Sequence, residues 1–255
     1  MSSRKVVLPA FVVTVLVTGI LAACGGGDGD EEDLTARHIT DAELTMMVLS
    51  MAELREGYPG FEGIEVSSFK TNEQTAEEDF DPPDEAQDLE QSGRVKEYVR
   101  TYGSPEIEEP LGPERAILLA SRVQLFQEAE GASDYLKDHL AEMEDDAGKT
   151  SEGATVEQAE RFKPADIADE SAGMRARMAF PEDDGLGIEA YGTWVFLRHG
   201  RLLSSVLLVT MEDKDVSAAV EALSREVDNR IQAILLIAAQ FTPTATQPTP
   251  TAAQE

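Results

Sequence analysis

This chain of 255 residues has one cysteine, Cys24, so no disulfide can close within it and no set of thiolates can hold zinc. Histidine is almost as scarce, with only His38, His139 and His199. No two of them stand four positions apart, so the His-x-x-x-His zinc spacing is absent. No Gly-x-Ser-x-Gly elbow is present, which removes the usual strand-to-helix nucleophile of a hydrolase. No P-loop or dinucleotide fingerprint occurs either, since Gly25-Gly26-Gly27 opens no helix. Positive charge is short: 21 Lys and Arg stand against 50 Asp and Glu, a net charge of −29. Such a surface repels nucleic acid and anionic headgroups, so no nucleic-acid partner is expected. It favours cations or basic partners, although a solvated acidic surface accounts for it without either. Long apolar runs are also missing, except for one at positions 6–21.

That run is 16 residues long, interrupted only by Pro9, Thr14, Thr18 and Gly19, and preceded by Arg4 and Lys5. It is shorter than the ~20 residues a permanent membrane-spanning helix needs. A positive start, an apolar stretch and small residues at its end read as an export signal over 1–23. The motif Leu21-Ala22-Ala23-Cys24 that closes it resembles the lipobox of bacterial lipoproteins. The resemblance implies cleavage before Cys24, a diacylglycerol thioether on its sulfur and, often, acylation of the new amino end. Two or three acyl chains hold a protein firmly where one does not. The expected partner of the anchor is therefore the membrane, through lipidated Cys24, on the extracytoplasmic side. Acylation would leave no free thiol. Removing the two cations of the signal takes the net charge from −29 to −31.

Behind the anchor, glycine and acid alternate through Asp33, and 24–36 reads as a flexible acidic tether. At the other end, the Thr- and Pro-rich stretch 241–255 has no apolar residues with which to pack and reads as a disordered tail. Between them, 37–240 is long enough for a single domain with a substantial core.

Within it, Thr40-Asp41-Ala42-Glu43 is a capping signature for a short helix carrying Leu44, Met47, Val48 and Met51. The acidic segment 72–91 holds a second short helix over 84–91. Alternation then predicts strands at 94–102 and Ala116–Phe126, joined by a loop at 103–113. Ala132, Leu136, Leu140 and Met143 fall three or four apart, which predicts a helix over 129–143. Further strands are expected at 173–180, 188–197 and Leu202–Thr210. The last is apolar on both faces and hence central. Arg198-His199-Gly200-Arg201 reads as a hairpin with His199-Gly200 at its centre. The strongest helix follows, with Val216, Val220, Leu223, Val227, Ile231 and Ile234 on one stripe. Strand, strand, helix thus occurs twice. The expected fold is α+β, a mainly antiparallel sheet with two long helices packed on one face. The other face would be partly free or covered by 72–91.

The element order over 93–237, with a Gly-Arg-Leu-Leu hairpin ahead of a long helix, resembles cell-envelope domains such as LpqN-type lipoproteins with a PsbP-like fold. It also resembles the extracellular domains of some bacterial receptor kinases. No functional motif of those families maps onto a residue here. Arg94, Arg100, Arg115 and Arg122 lie on or beside the first two strands and would suit an anion, although pairing with the abundant acids is the preferred reading. Tyr98, Tyr102, Tyr191, Trp194 and Phe196 would suit a groove, although packing is the commoner use of strand aromatics. No catalytic, cofactor-binding or metal-ligating set is assigned; Cys24, as the lipidation site, is the one functional residue. The expected function is a lipid-anchored binding, sensor or scaffold domain for an unknown protein or small-molecule ligand. Two alternatives stand beside it: an envelope hydrolase using a carboxylate pair, and a lipid-carrying chaperone with an apolar groove.

Overall fold

The computed structural model describes residues 34–57, 63–77, 82–104, 115–151, 154–165, 167–180 and 188–241. The export signal, Cys24, the tether through 33, most of the loop at 103–113, the turn at 181–185 and the tail from 242 lie outside the described residues.

Among the described residues the sheet has eight strands: β1 (Ile64–Lys70), β2 (Arg94–Gly103), β3 (Ala116–Phe126), β4 (Thr150–Ser151), β5 (Ala154–Phe162), β6 (Glu170–Phe180), β7 (Ile188–His199) and β8 (Leu202–Thr210). Their order is β1-β2-β3-β8-β7-β6-β5-β4, with every neighbour antiparallel. The chain enters at one edge, meanders inward to β3, crosses to the far edge and meanders back to β8. β3 and β8 thus pair at the centre, with Val123 opposite Ser204 and Leu119 opposite Leu208. The central position expected for β8 is the observed one.

Among the described residues six helices flank the sheet: α1 (Asp41–Met46), α2 (Met51–Gly57), α3 (Asn72–Ala76), α4 (Pro82–Gln91), α5 (Ala129–Asp145) and α6 (Ser217–Phe241). At α1 the capping box is formed in both directions, between Thr40 and Glu43. The chain cannot continue from α1 into α2 as one helix, because its backbone at 48–49 is bonded elsewhere. Arg100 and the Tyr102 hydroxyl both donate to the Leu49 carbonyl at 2.9 Å, and Arg230 donates to the Val48 carbonyl at 2.6 Å.

The two longest helices lie on opposite faces, which corrects the expectation that both share one face. α6 buries Val220, Leu223, Val227 and Ile231 in a core with Leu119, Val123, Val195, Val206 and Leu208. α5 buries Ala132, Leu136 and Leu140 in a second core with Phe126, Met174, Phe196 and Leu203. Successive strand residues point to opposite faces, so Val195 and Phe196, or Leu202 and Leu203, belong to different cores. A sheet whose central strands are apolar on both sides needs a layer on each. α1 and α2 share the α6 side, where Leu44, Met47 and Leu54 are buried. Leu89 of α4 joins the α5 core, so the acidic segment does help cover the face away from α6.

This placement also bears on the repeated strand-strand-helix order. The rotation that would exchange the antiparallel strands β3 and β8 is a two-fold normal to the sheet, and it would leave both helices on one face. With α5 and α6 on opposite faces, the repeated order is not a structural duplication.

The hairpin is shifted by one residue from its expected position. His199 still pairs with Leu202, so the turn is Gly200-Arg201, and Gly200 takes the positive φ of 51° that glycine tolerates. Strands β1, β4 and β5 arise where no strand was predicted. At the end of α6, Leu235 is buried, whereas Leu236 and Ile237 are exposed.

Candidate functional site

On α5 the stripe Ala132-Leu136-Leu140 faces the sheet. Tyr135, His139 and Glu142 stand at the helical intervals i, i+4 and i+7 and form the neighbouring stripe. That stripe looks toward α4, which is fastened by Leu89 in the same core. One turn before Leu89, Glu85 is buried at 2% exposure. The helices come close because of Gly131, where a Cβ would sit 2.1 Å from the Ser92 carbonyl oxygen. Any other residue there would push α5 off the turn that ends α4.

Between the two helices lies a cleft of about 220 Å³, with Glu85, His139, Glu142, Asp88, Asp134 and Asp138 in its lining. One donor atom each from Glu85, His139 and Glu142 lies within 4.8 Å of the others. The Tyr135 hydroxyl donates to Glu85 Oε1 at 3.0 Å. Burial first, and then the charge on Glu85, raises the Tyr135 pKa well above 10, so this hydroxyl remains a donor. The His139 ring stacks on Tyr135 with centroids 5.4 Å apart and meets the edge of Phe196 at 5.9 Å. A neutral imidazole nitrogen and two carboxylates, braced in this way, are a donor set of the kind that binds a metal ion.

A second cleft of about 240 Å³ lies on the other face at the start of α6, lined by Arg175, Arg177, Tyr191 and Asp215 among others. Its cations are engaged by acids: Arg175 with Asp215, and Arg177 with Glu157 at 2.9 Å and Glu189 at 2.5 Å. A third cleft, of about 370 Å³, opens beside Phe69, Lys70, Asn72 and Lys96. None of the three is an apolar tunnel.

The arginines named from the sequence are not brought together as an anion site. Arg94 and Glu97 form a fully buried pair at 2.8 Å, which Arg122 flanks at 3.3 Å and Gln124 at 3.0 Å. Burial lowers the Arg94 pKa against the pull of Glu97. Arg100 lies on the α6 face beside Glu65, and Arg115 pairs with Glu212 at 2.5 Å. Pairing with acids is thus the observed arrangement. Tyr98, Tyr102 and Phe196 are core residues, Trp194 packs against the α5 core, and Tyr191 lines the second cleft. The histidines stay apart: His38 is exposed ahead of α1, His139 faces α4, and His199 is buried near Asp228 of α6. The α4–α5 cleft was not read from the sequence; the signal that could have marked it is His139-x-x-Glu142, which places two donors one turn apart. Nothing local marks Glu85 as their neighbour.

No protein-family model matches the chain, and no sequence match to a curated protein is found. Among solved structures, the extracellular domain of PknH from Mycobacterium tuberculosis aligns at 10% identity with a TM-score of 0.48, covering 78% of this chain and 99% of that one. A Pseudomonas aeruginosa protein of unknown function, PA94, described as a putative regulator, aligns at 14% identity with a TM-score of 0.29, covering 51% of this chain and 79% of that one. Shape likeness at this level says nothing about what a chain binds.

Proposed function

We propose that the protein is a binding or sensor domain displayed outside the cytoplasm and held at the membrane by a lipid on Cys24. The observation that carries this reading is Leu21-Ala22-Ala23-Cys24, closing a short apolar run and followed by a glycine- and acid-rich tether. The apolar run at 6–21 is shorter than the ~20 residues of a permanent spanning helix and leads to Cys24, so attachment is assigned to acyl chains on that residue.

The test is expression with export in a bacterial host, followed by detergent-phase partitioning and intact mass. The wild type should partition with detergent and begin at Cys24 with added acyl mass. Cys24→Ala should remain unprocessed and carry no acyl mass. A mature wild-type protein that begins at Cys24 without acyl mass would overturn the anchor.

A further inference from the structure

We propose that Glu85, His139 and Glu142 form a site for one divalent transition-metal cation. The proposal rests on the reading of this domain as a ligand-binding module and deepens it by naming the chemistry of the ligand. One imidazole nitrogen and two carboxylate oxygens already lie within 4.8 Å of one another. Ligands about 2.1 Å from a shared ion stand roughly 3.4 Å apart in tetrahedral geometry, so small side-chain rotations close the set. His139 and Glu142 share a face of α5, whereas Glu85 comes from α4. The donors therefore converge on a point between two helices instead of spreading along one surface.

The surroundings are those of an oriented ligand set. Tyr135 aims the buried carboxylate of Glu85 by its hydrogen bond, and it also braces the His139 ring from one side. Outer groups that orient ligating side chains in this way sharpen both affinity and geometry. Asp88, Asp134 and Asp138 on the rim keep the cleft's field negative, which draws in a cation. The donor types select which one. Ca²⁺ and Mg²⁺ favour all-oxygen shells, whereas an imidazole with carboxylates suits Zn²⁺ or Mn²⁺. Three protein ligands leave a further position for water or for a ligand's own donor.

The test is calorimetric titration of the full-length, tag-free, metal-stripped protein in detergent, using Zn²⁺, Mn²⁺ and Ca²⁺ as probes. One Zn²⁺ should bind per chain, at least about tenfold more tightly than Ca²⁺. Bound Zn²⁺ should raise Tm, and EDTA should reverse the rise. His139→Gln and Glu142→Gln should each weaken Zn²⁺ binding by at least about tenfold. Asp145→Asn removes one charge from an exposed position on the same helix and should leave Zn²⁺ binding unchanged. Glu142 is only half-buried, so its amide variant keeps the test sound if His139→Gln fails to fold. Non-stoichiometric uptake, or an equal loss in Asp145→Asn and Glu142→Gln, would mean adsorption to an acidic surface and would overturn the site. Ca²⁺ binding as tightly as Zn²⁺ would overturn the transition-metal assignment. The same titration on Cys24→Ala separates the two readings, because a failed anchor leaves Zn²⁺ binding intact and a failed site leaves acylation intact.

Discussion

His199 shows how a single residue couples this fold to pH. It ends β7 on the α6 face at 6% exposure, with Nε2 3.2 Å from Asp228 Oδ1. Burial lowers its pKa below the usual 6.5; Asp228 and Asp169 pull it upward, Arg198 pushes it down, and the net direction is down. In the folded protein His199 therefore stays neutral at pH values where the unfolded chain begins to protonate it. The unfolded state then holds more protons, so this contribution to stability is complete above about pH 6.5 and is lost as pH falls through the folded pKa. His199→Gln cannot charge, and its denaturation midpoint should fall less than that of the wild type between about pH 7 and pH 5. Paired urea titrations at several pH values check this, since the carboxylates that protonate lower in the range are common to both proteins. Parallel profiles would mean that folding does not shift the proton affinity of His199.

At the scale of elements, α6 is the part of the core most open to a simple test. Leu223 sits in mid-stripe at 5% exposure, between Val220 and Val227, which are fully buried. Leu223→Ala should leave a cavity and cost about 2–5 kcal/mol. Glu221, off the stripe and half-exposed, should cost within about ±0.5 kcal/mol when changed to Ala. Denaturant titration of both variants separates them, and equal shifts would mean that the stripe is not the packing face. This stripe was legible in the sequence because a 3.6-residue period survives any tertiary arrangement; β2 and β3 were legible by alternation, and β6, β7 and β8 as runs rich in apolar residues set between turns. β1, β4 and β5 were not. In β1, Ile64, Val66 and Phe69 are all exposed, so neither face carries a burial pattern. In β5, a register shift between Val156 and Gln158 breaks the alternation. The faces chosen by α5 and α6 were also hidden, because Leu202-Leu203 and Val195-Phe196 offer an apolar side chain to each side. The candidate site was not read from the sequence: His139 and Glu142 are neighbours on one helix, but Glu85 joins them only once α4 docks through Leu89.

For the molecule as a whole, the sheet is clasped by its own N-terminal segment. Leu34 packs against the α6 core, and Thr35 is 2% exposed. The turn residue Arg201 holds this segment in three ways. Its backbone N–H donates to Thr35 Oγ1 at 3.0 Å, and its guanidinium donates to the carbonyls of Thr35 and Arg37, both at 2.7 Å. The same guanidinium reaches the Phe126 carbonyl at 3.1 Å, so one side chain ties the N-terminal segment, the β7–β8 turn and the end of β3 together. A domain boundary at 37 cuts through this clasp, and one at 33 spares it. A protein beginning at Arg37 and ending at Gln240 would lose the Thr35 carbonyl and hydroxyl and the packing of Leu34. Loss of such partly buried hydrogen-bond partners costs about 1–3 kcal/mol. For a domain of this size that lowers Tm by roughly 2–12 °C. A protein beginning at Asp33 should melt with the full mature chain, and scanning calorimetry of the three in one buffer decides the matter. If the Arg37 form also melted with the other two, the clasp would contribute nothing net. The ordering of 34–36 would then be a consequence of the fold and not one of its supports.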